Sequence, residues 1–383
     1  MNTITVLTAT RAEYGLLKPV IFGLREKYDV KVVATGAHLS PEFGETYREI
    51  EKDGIVIDKK IPILLSSDSP VAISKSMALA VSGFADYFDS NQTDALLVLG
   101  DRYETLAVCI AAMNERIPII HLYGGDTTEG AIDEAIRHSI TKLSYLHLVC
   151  TEEAKKRVLQ MGENPNRVYV VGSLGVENAL KQKMLSKAEL EKSIGMVLGD
   201  KYSVVTFHPV TLENSSAEEQ CMELIDALEE FKNTSFIITK ANADADGRII
   251  NILMGDFARR RSNVKLFDSL GSERYLSAIK YADMVIGNSS SGLSEVPSFG
   301  VPTVNIGDRQ RGRLKPRSVI DCEPTKESII QAIRKASSKE FRDLCIKCKN
   351  PYGDGKTTPK IVTAIDEMFT KGIDIKKKFY NIL

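Results

Sequence analysis

A chain of 383 residues that sets 50 Lys and Arg against 51 Asp and Glu carries a formal charge of −1, so no global field recruits nucleic acid or an anionic membrane, and an anionic ligand must be held by a local site. The length exceeds what one hydrophobic core usually serves, and two domains are the first expectation. The start MNTITVLTATRAEYG lacks the pattern of a signal peptide and no apolar run reaches the ~20 residues of a membrane helix, so the expected setting is the cytoplasm.

In chain order, short apolar runs bounded by Gly, Asp or Pro alternate with stretches of helical spacing: ITVLTAT, VKVVATG, DALLVLGD, IPIIHLYGG, LHLVCT and RVYVVG. Strands apolar on both faces, separated by helices, predict a parallel sheet covered on both sides. After the charged stretch KQKMLSKAELEKSIG the same grammar restarts with YSVVTFHP, SFIITKAN, NVKLFD, ADMVIGNSS and VPTVNIGD. The expected fold is α/β: two Rossmann-like, doubly wound parallel-sheet domains facing a cleft, at 1–180 and 181–365, with a tail at 366–383. TTPKIVTAIDEMFTKG reads as a capped amphipathic closing helix. The six cysteines include one close pair, Cys345 and Cys348, with no second pair or nearby His; they read as reduced thiols and no metal site is expected.

Ligands of such sheets gather in the loops after the strands. The first loop puts Arg11 at a helix amino terminus, where it suits either an anion or plain surface, with Gly15 one turn on. The second delivers His38, and a lone His is usually structural. The third, GDRYETL, ends a strand abruptly in Asp101 and Arg102; Asp101 either caps the next helix or, with Arg102, serves an anion site. The fourth pairs His121, Tyr123 and Asp126 with a helix carrying Asp133 and Arg137, whose four-residue spacing reads as a solvated ion pair. In the second half, His208 follows one strand, and Asn242, Asp244 and Gly247 follow the next, where turn chemistry alone accounts for the run.

The stretch GNSSSGLSEVPSFGVPTVNIGDRQRGR interrupts two apolar runs with three serines. Their hydroxyls and the first N–H groups of the following helix suit a phosphate, with Glu295 one turn on for ribose hydroxyls; helix capping would account for one serine only. Neither GxxxxGK[ST] nor GxGxxG follows a strand, so ATP hydrolysis and hydride transfer lose support.

Taken jointly, TRAEYG, TGAHL, GDRYETL, GGDTTEGAIDEAIRHSITKL, FHPVT, NADADG, GNSSSGLSE, GDRQ and PYGDG resemble, in order and spacing, the hydrolysing UDP-N-acetylglucosamine 2-epimerases of sialic acid biosynthesis, over residues 3 to about 365. The resemblance implies the glycosyltransferase-B architecture. It implies conversion of UDP-N-acetylglucosamine and water to N-acetylmannosamine and UDP through a glycal, without a cofactor. By the same resemblance Asp101 and Asp133 are the catalytic aspartates, and His38 and His208 the functional histidines. UDP would be held by Arg11, Gly15, Arg102, His208, Asn242, Ser289, Ser290, Glu295 and Arg309.

One departure matters. Where relatives read HIEGGE this chain reads HLYGGD, so either Tyr123, Asp126 or Glu129 takes over part of the proton transfer, or the fourth-strand carboxylate matters less than the resemblance implies. Three alternatives stand beside the leading one: the same reaction on UDP-2,4-diacetamido-2,4,6-trideoxyglucose for legionaminic acid, a retaining glycosyltransferase on the same fold, and a non-catalytic sugar-nucleotide sensor. A homodimer or a dimer of dimers is the expected assembly, with no nucleic acid or membrane partner.

Overall fold

The computed structural model describes residues 1–65, 67, 69–128, 132–209, 217–241 and 247–382. Two compact units divide it: Met1–Glu177 with Gly355–Leu383, and Asn178–Asp354.

In the first unit, strands β1 (Thr3–Thr8), β2 (Asp29–Thr35), β3 (Ile57–Ile61), β4 (Ala95–Leu99), β5 (Ile119–Leu122), β6 (Leu146–Val149) and β7 (Val168–Val170) form one parallel sheet in the order β3-β2-β1-β4-β5-β6-β7. Successive strand residues point to opposite faces, and outside the exposed edge strand β3 both faces are largely buried. Ile4, Val6, Val32, Ala34, Leu97 and Leu99 join one core, under helices Arg11–Arg25 and Thr357–Lys371. Leu7, Val33, Leu96 and Val98 join the other, under helices Pro70–Ser90 and Tyr103–Asn114. That two-sided burial is why the strands read as unbroken apolar runs.

In the second unit, β8 (Tyr202–Thr206), β9 (Ser235–Thr239), β10 (Val264–Phe267), β11 (Met284–Gly287), β12 (Thr303–Ile306) and β13 (Val319–Cys322) form a parallel sheet in the order β10-β9-β8-β11-β12-β13. Val205, Ile238 and Ile286 face one core, Val204, Ile237 and Val285 the other.

The structural division differs from the expected 1–180, 181–365 and 366–383. Residues 355–383 return to the first unit because Ile361, Ala364, Ile365 and Met368 pack beside Leu17, Val20, Ile21 and Leu24 in its core. Among the described residues, no helix is long and apolar enough to cross a membrane.

Candidate functional site

Each strand order reverses at one point, between β1 and β4 in the first unit and between β8 and β11 in the second. Loops leaving the carboxyl ends of such neighbours diverge to opposite faces and leave a crevice. The sequence-predicted residues concentrate at these two places.

At the first, Asp101 does not cap a helix: the N-cap of Tyr103–Asn114 is Arg102, with no side-chain capping bond. Asp101 Oδ2 instead accepts from Arg137 Nε at 2.8 Å and from Nη2 of the same guanidinium. Arg137, 5% exposed, also donates through Nη1 to the Asp126 carbonyl at 2.7 Å and through Nη2 to Thr128 Oγ1 at 3.0 Å. The expected solvated pair of Arg137 with Asp133 is thereby corrected: the sheet brings a better partner, since a planar guanidinium takes a carboxylate in two bonds. Asp133 is exposed on the first turn of helix Ile132–Leu143. Its carboxyl lies above the ordinary range, first through desolvation and next through the charge of Asp101.

His121, one residue before the end of β5, is wholly buried. Its Nε2 lies 2.8 Å from the Gly100 carbonyl, so that nitrogen carries the proton, and its Nδ1 faces Thr141 Oγ1 at 3.5 Å. Burial, with nearby positive charge, pushes it down to about 3. It fixes the loop that carries Asp101.

Two expected site residues, His38 and Tyr123, are each engaged by hydrogen bonds within the fold. His38 is wholly buried, with Nε2 2.9 Å from Thr8 Oγ1 and Nδ1 2.8 Å from Thr46 Oγ1; burial pushes it down to about 4. With both nitrogens engaged it pins the loop after β2 to β1. Tyr123 adopts a left-handed φ of 71°, and its hydroxyl accepts from the Leu174 N–H at 2.8 Å and lies 3.3 Å from Ser173 Oγ. Burial raises its phenol well above the ordinary range, so it holds the start of helix Leu174–Lys181. Glu129 lies outside the described residues, and Asp126 is half-buried beside Arg137.

Arg11 and Arg102 are themselves held by carboxylates. Arg11 Nε bonds Glu49 at 3.0 Å on the surface, with 71% of its side chain exposed. Arg102 lies 3.0 Å from Glu104 and 3.8 Å from Glu13, two buried glutamates that sequence reading did not single out. Glu13 completes a capping box with Thr10, accepts from the Ala9 N–H at 2.7 Å, and is raised by burial to about 7. The T-x-x-E spacing was the available signal. Gly15 lies inside helix Arg11–Arg25, with open space where a Cβ would project. Beside Arg102 and Glu104 lies a cavity of about 920 Å³ with a mixed lining, apolar at Leu39, Phe43 and Ile63 and polar at Ser40, Ser76 and Tyr103.

At the second reversal, Asn288 closes β11 onto β8. Its Oδ1 accepts from the His208 N–H and its Nδ2 donates to the His208 carbonyl, both at 2.8 Å. Its own carbonyl accepts from Arg309 Nη1 at 3.1 Å and Gln310 Nε2 at 2.8 Å. Asn288 thus joins three loops, and His208 and Arg309, far apart in sequence, meet around it. Gly287 has to be glycine: at φ 132° a Cβ would stand 1.9 Å from the Thr206 carbonyl oxygen. Ser290 is the N-cap of the short helix Ser291–Ser294 but makes no side-chain capping bond. Ser289 is half-buried and Ser290 exposed. Glu295 accepts from Ser294 Oγ at 2.7 Å. Asn242 and Asp244 lie outside the described residues. Among the described residues, no cluster of His, Cys, Asp and Glu suits a metal ion.

The family model described as UDP-N-acetylglucosamine 2-epimerase matches residues 23–366. The chain is 46% identical over 342 residues to a GDP/UDP-N,N'-diacetylbacillosamine 2-epimerase (hydrolyzing) of Campylobacter jejuni, covering 88% of each. It is 42% identical over 385 residues to the polysialic acid biosynthesis protein P7 of Escherichia coli, covering 100% of this chain and 98% of that one. In fold it is similar to the crystal structure of UDP-GlcNAc 2-epimerase from Neisseria meningitidis bound to UDP-GlcNAc, with a TM-score of 0.75 at 20% identity over 96% of this chain and 100% of that one. With its two doubly wound sheets and these likenesses over most of its length, the chain belongs to the UDP-N-acetylglucosamine 2-epimerase family, among its hydrolysing members.

Proposed function

We propose that the protein converts UDP-N-acetylglucosamine and water to N-acetylmannosamine and UDP. The observation that carries this reading is a pair of aspartates, Asp101 after β4 bound to a buried arginine, and Asp133 on the helix after β5, whose carboxyl is raised by desolvation and by the charge of Asp101. Inversion at carbon 2 removes a proton from one face and returns one to the other, and two carboxylates in different environments suit the two roles. One carboxylate takes the carbon-2 proton as the bond from carbon 1 to the diphosphate breaks, leaving a glycal and free UDP. Water then adds at carbon 1 while carbon 2 regains a proton on the opposite face. The carbon-2 proton is not acidic in the ground state, so the base works only as positive charge builds on the ring, and groups that stabilise the departing diphosphate drive the step.

We assign that task to His208, Ser289, Ser290 and Arg309, with Glu295 on the ribose and Asn242 beside them, and give Arg11, Gly15 and Arg102 supporting contacts to the nucleotide. The serines support the assignment because Ser290 is not engaged as a cap. Asp126 is the reserve carboxylate for proton return. The E. coli relative named for polysialic acid supports a place for the product in sialic acid biosynthesis.

A second reading, the same reaction on UDP-2,4-diacetamido-2,4,6-trideoxyglucose, is favoured by the C. jejuni relative. Offering each sugar nucleotide separately and following UDP release decides between them. The first reading expects UDP-N-acetylglucosamine to be favoured in kcat/KM by about tenfold or more. The reverse preference replaces it with the second, and no release from either rejects both.

A further inference from the structure

The segment after helix Thr357–Lys371 is strapped to the end of another helix. Lys377 Nζ lies 2.6 Å from Glu163 Oε2 and donates to the carbonyls of Lys142 and Ser144, each at 2.8 Å. These carbonyls end helix Ile132–Leu143, where the last C=O groups lack intrahelical partners and the dipole favours a cation. Glu163, with 1% of its side chain exposed, also takes Lys142 Nζ at 2.6 Å and His147 Nε2 at 3.0 Å. Phe379 lies so close on Gly162 that a Cβ there would be 2.3 Å from the ring. The Tyr380 N–H donates to the Gly162 carbonyl at 2.8 Å, and the Lys142 ammonium stands 5.1 Å from the Phe379 ring centre.

The strapped helix carries chemistry along its length. Asp133 is in its first turn, Arg137 holds Asp101, and Thr141 faces the His121 that fixes the Gly100 carbonyl. We propose that Lys377 is a positioning residue: by capping helix Ile132–Leu143 and anchoring it to Glu163, it sets the axial position of Asp133 and Arg137 against Asp101. The inference rests on the epimerase reading for its activity readout.

The test uses full-length Lys377→Met, Lys377→Arg and Phe379→Ala. Because small misplacement of reacting groups costs rate steeply, kcat of Lys377→Met is expected to fall about tenfold or more, while KM and UDP affinity stay within about twofold. Lys377→Arg, which keeps the cation, is expected to retain about half of kcat or more. Phe379→Ala should lose an intermediate share, and it supplies the result if Lys377→Met does not fold. Wild-type kcat in a folded Lys377→Met or, failing that, in Phe379→Ala overturns the proposal, as does loss of UDP affinity in step with kcat. Amide exchange is the readout independent of activity: faster exchange across residues 136–143 in the same variant supports the strap, and unchanged protection overturns it even if the wild type were inactive on both sugar nucleotides, a result that would reject the epimerase reading instead.

Discussion

Arg137 divides its guanidinium among Asp101, the Asp126 carbonyl and Thr128, and so ties the loop after β4 to the loop after β5 in a fixed frame. Asp101 is oriented by that frame, which is why its substitution should touch chemistry and spare nucleotide binding. Asp101→Asn is expected to lower kcat by about 10²–10⁴, the usual contribution of a positioned proton-transfer group, with UDP affinity unchanged by calorimetry. Loss of UDP binding would reassign Asp101 to a structural role. Glu13 allows a pH test. Its carboxyl is raised from 4.5 to about 7, so the folded protein binds a proton that the unfolded chain releases across that window. Ionising Glu13 therefore costs stability as pH rises from about 4.5 to 7. Glu13→Gln should flatten the decline of Tm between pH 5 and 7.5 by on the order of a few degrees; a variant whose Tm tracks the wild type across this range contradicts the assignment. The partner of Arg137 was not legible in the sequence. Helical spacing points it at Asp133, and only the strand order shows that the loop after β4 reaches it first. The partners of His38 and Tyr123 were hidden for a related reason: position at a strand end says where a side chain starts, and the hydroxyls of Thr8 and Thr46 or the N–H of Leu174 decide where it finishes.

At the scale of elements, the reversals in strand order do the assembling. Asn288 stands at the one between β8 and β11 and ties His208, Arg309 and Gln310 together. Asn288→Ala removes two buried hydrogen bonds to the His208 backbone, at about 1–3 kcal/mol for each buried group left behind. The second unit should lose stability in urea and UDP affinity together. Asn288→Asp keeps the acceptor for the His208 N–H but not the donor to its carbonyl, and should fall between. Unchanged urea midpoints in the alanine variant would show that the bridge is dispensable. Eleven of the strands were legible because burial writes them as short apolar runs; the edge strands β3 and β13 were not, because IDKKI and VIDC carry charged residues that face solvent. The role of Asn288 was less legible: an asparagine after a strand reads first as a turn former, and its contacts lie 80 residues upstream and 22 downstream.

For the whole molecule, periodicity announces an amphipathic closing helix but not what its apolar face covers. Ile361, Ile365 and Met368 complete the core of the first unit, so a chain read as two consecutive domains returns to its start. The chemistry assigned above makes one demand on the product that neither a glycosyltransferase nor a sugar-nucleotide sensor shares: carbon 2 must exchange its hydrogen with solvent. Incubating the protein with UDP-N-acetylglucosamine in heavy water and following the sugar by NMR measures this directly. The epimerase reaction predicts free UDP together with N-acetylmannosamine carrying deuterium at carbon 2. Release of a sugar that keeps its original carbon-2 hydrogen, or a UDP-linked sugar left unchanged, would contradict it.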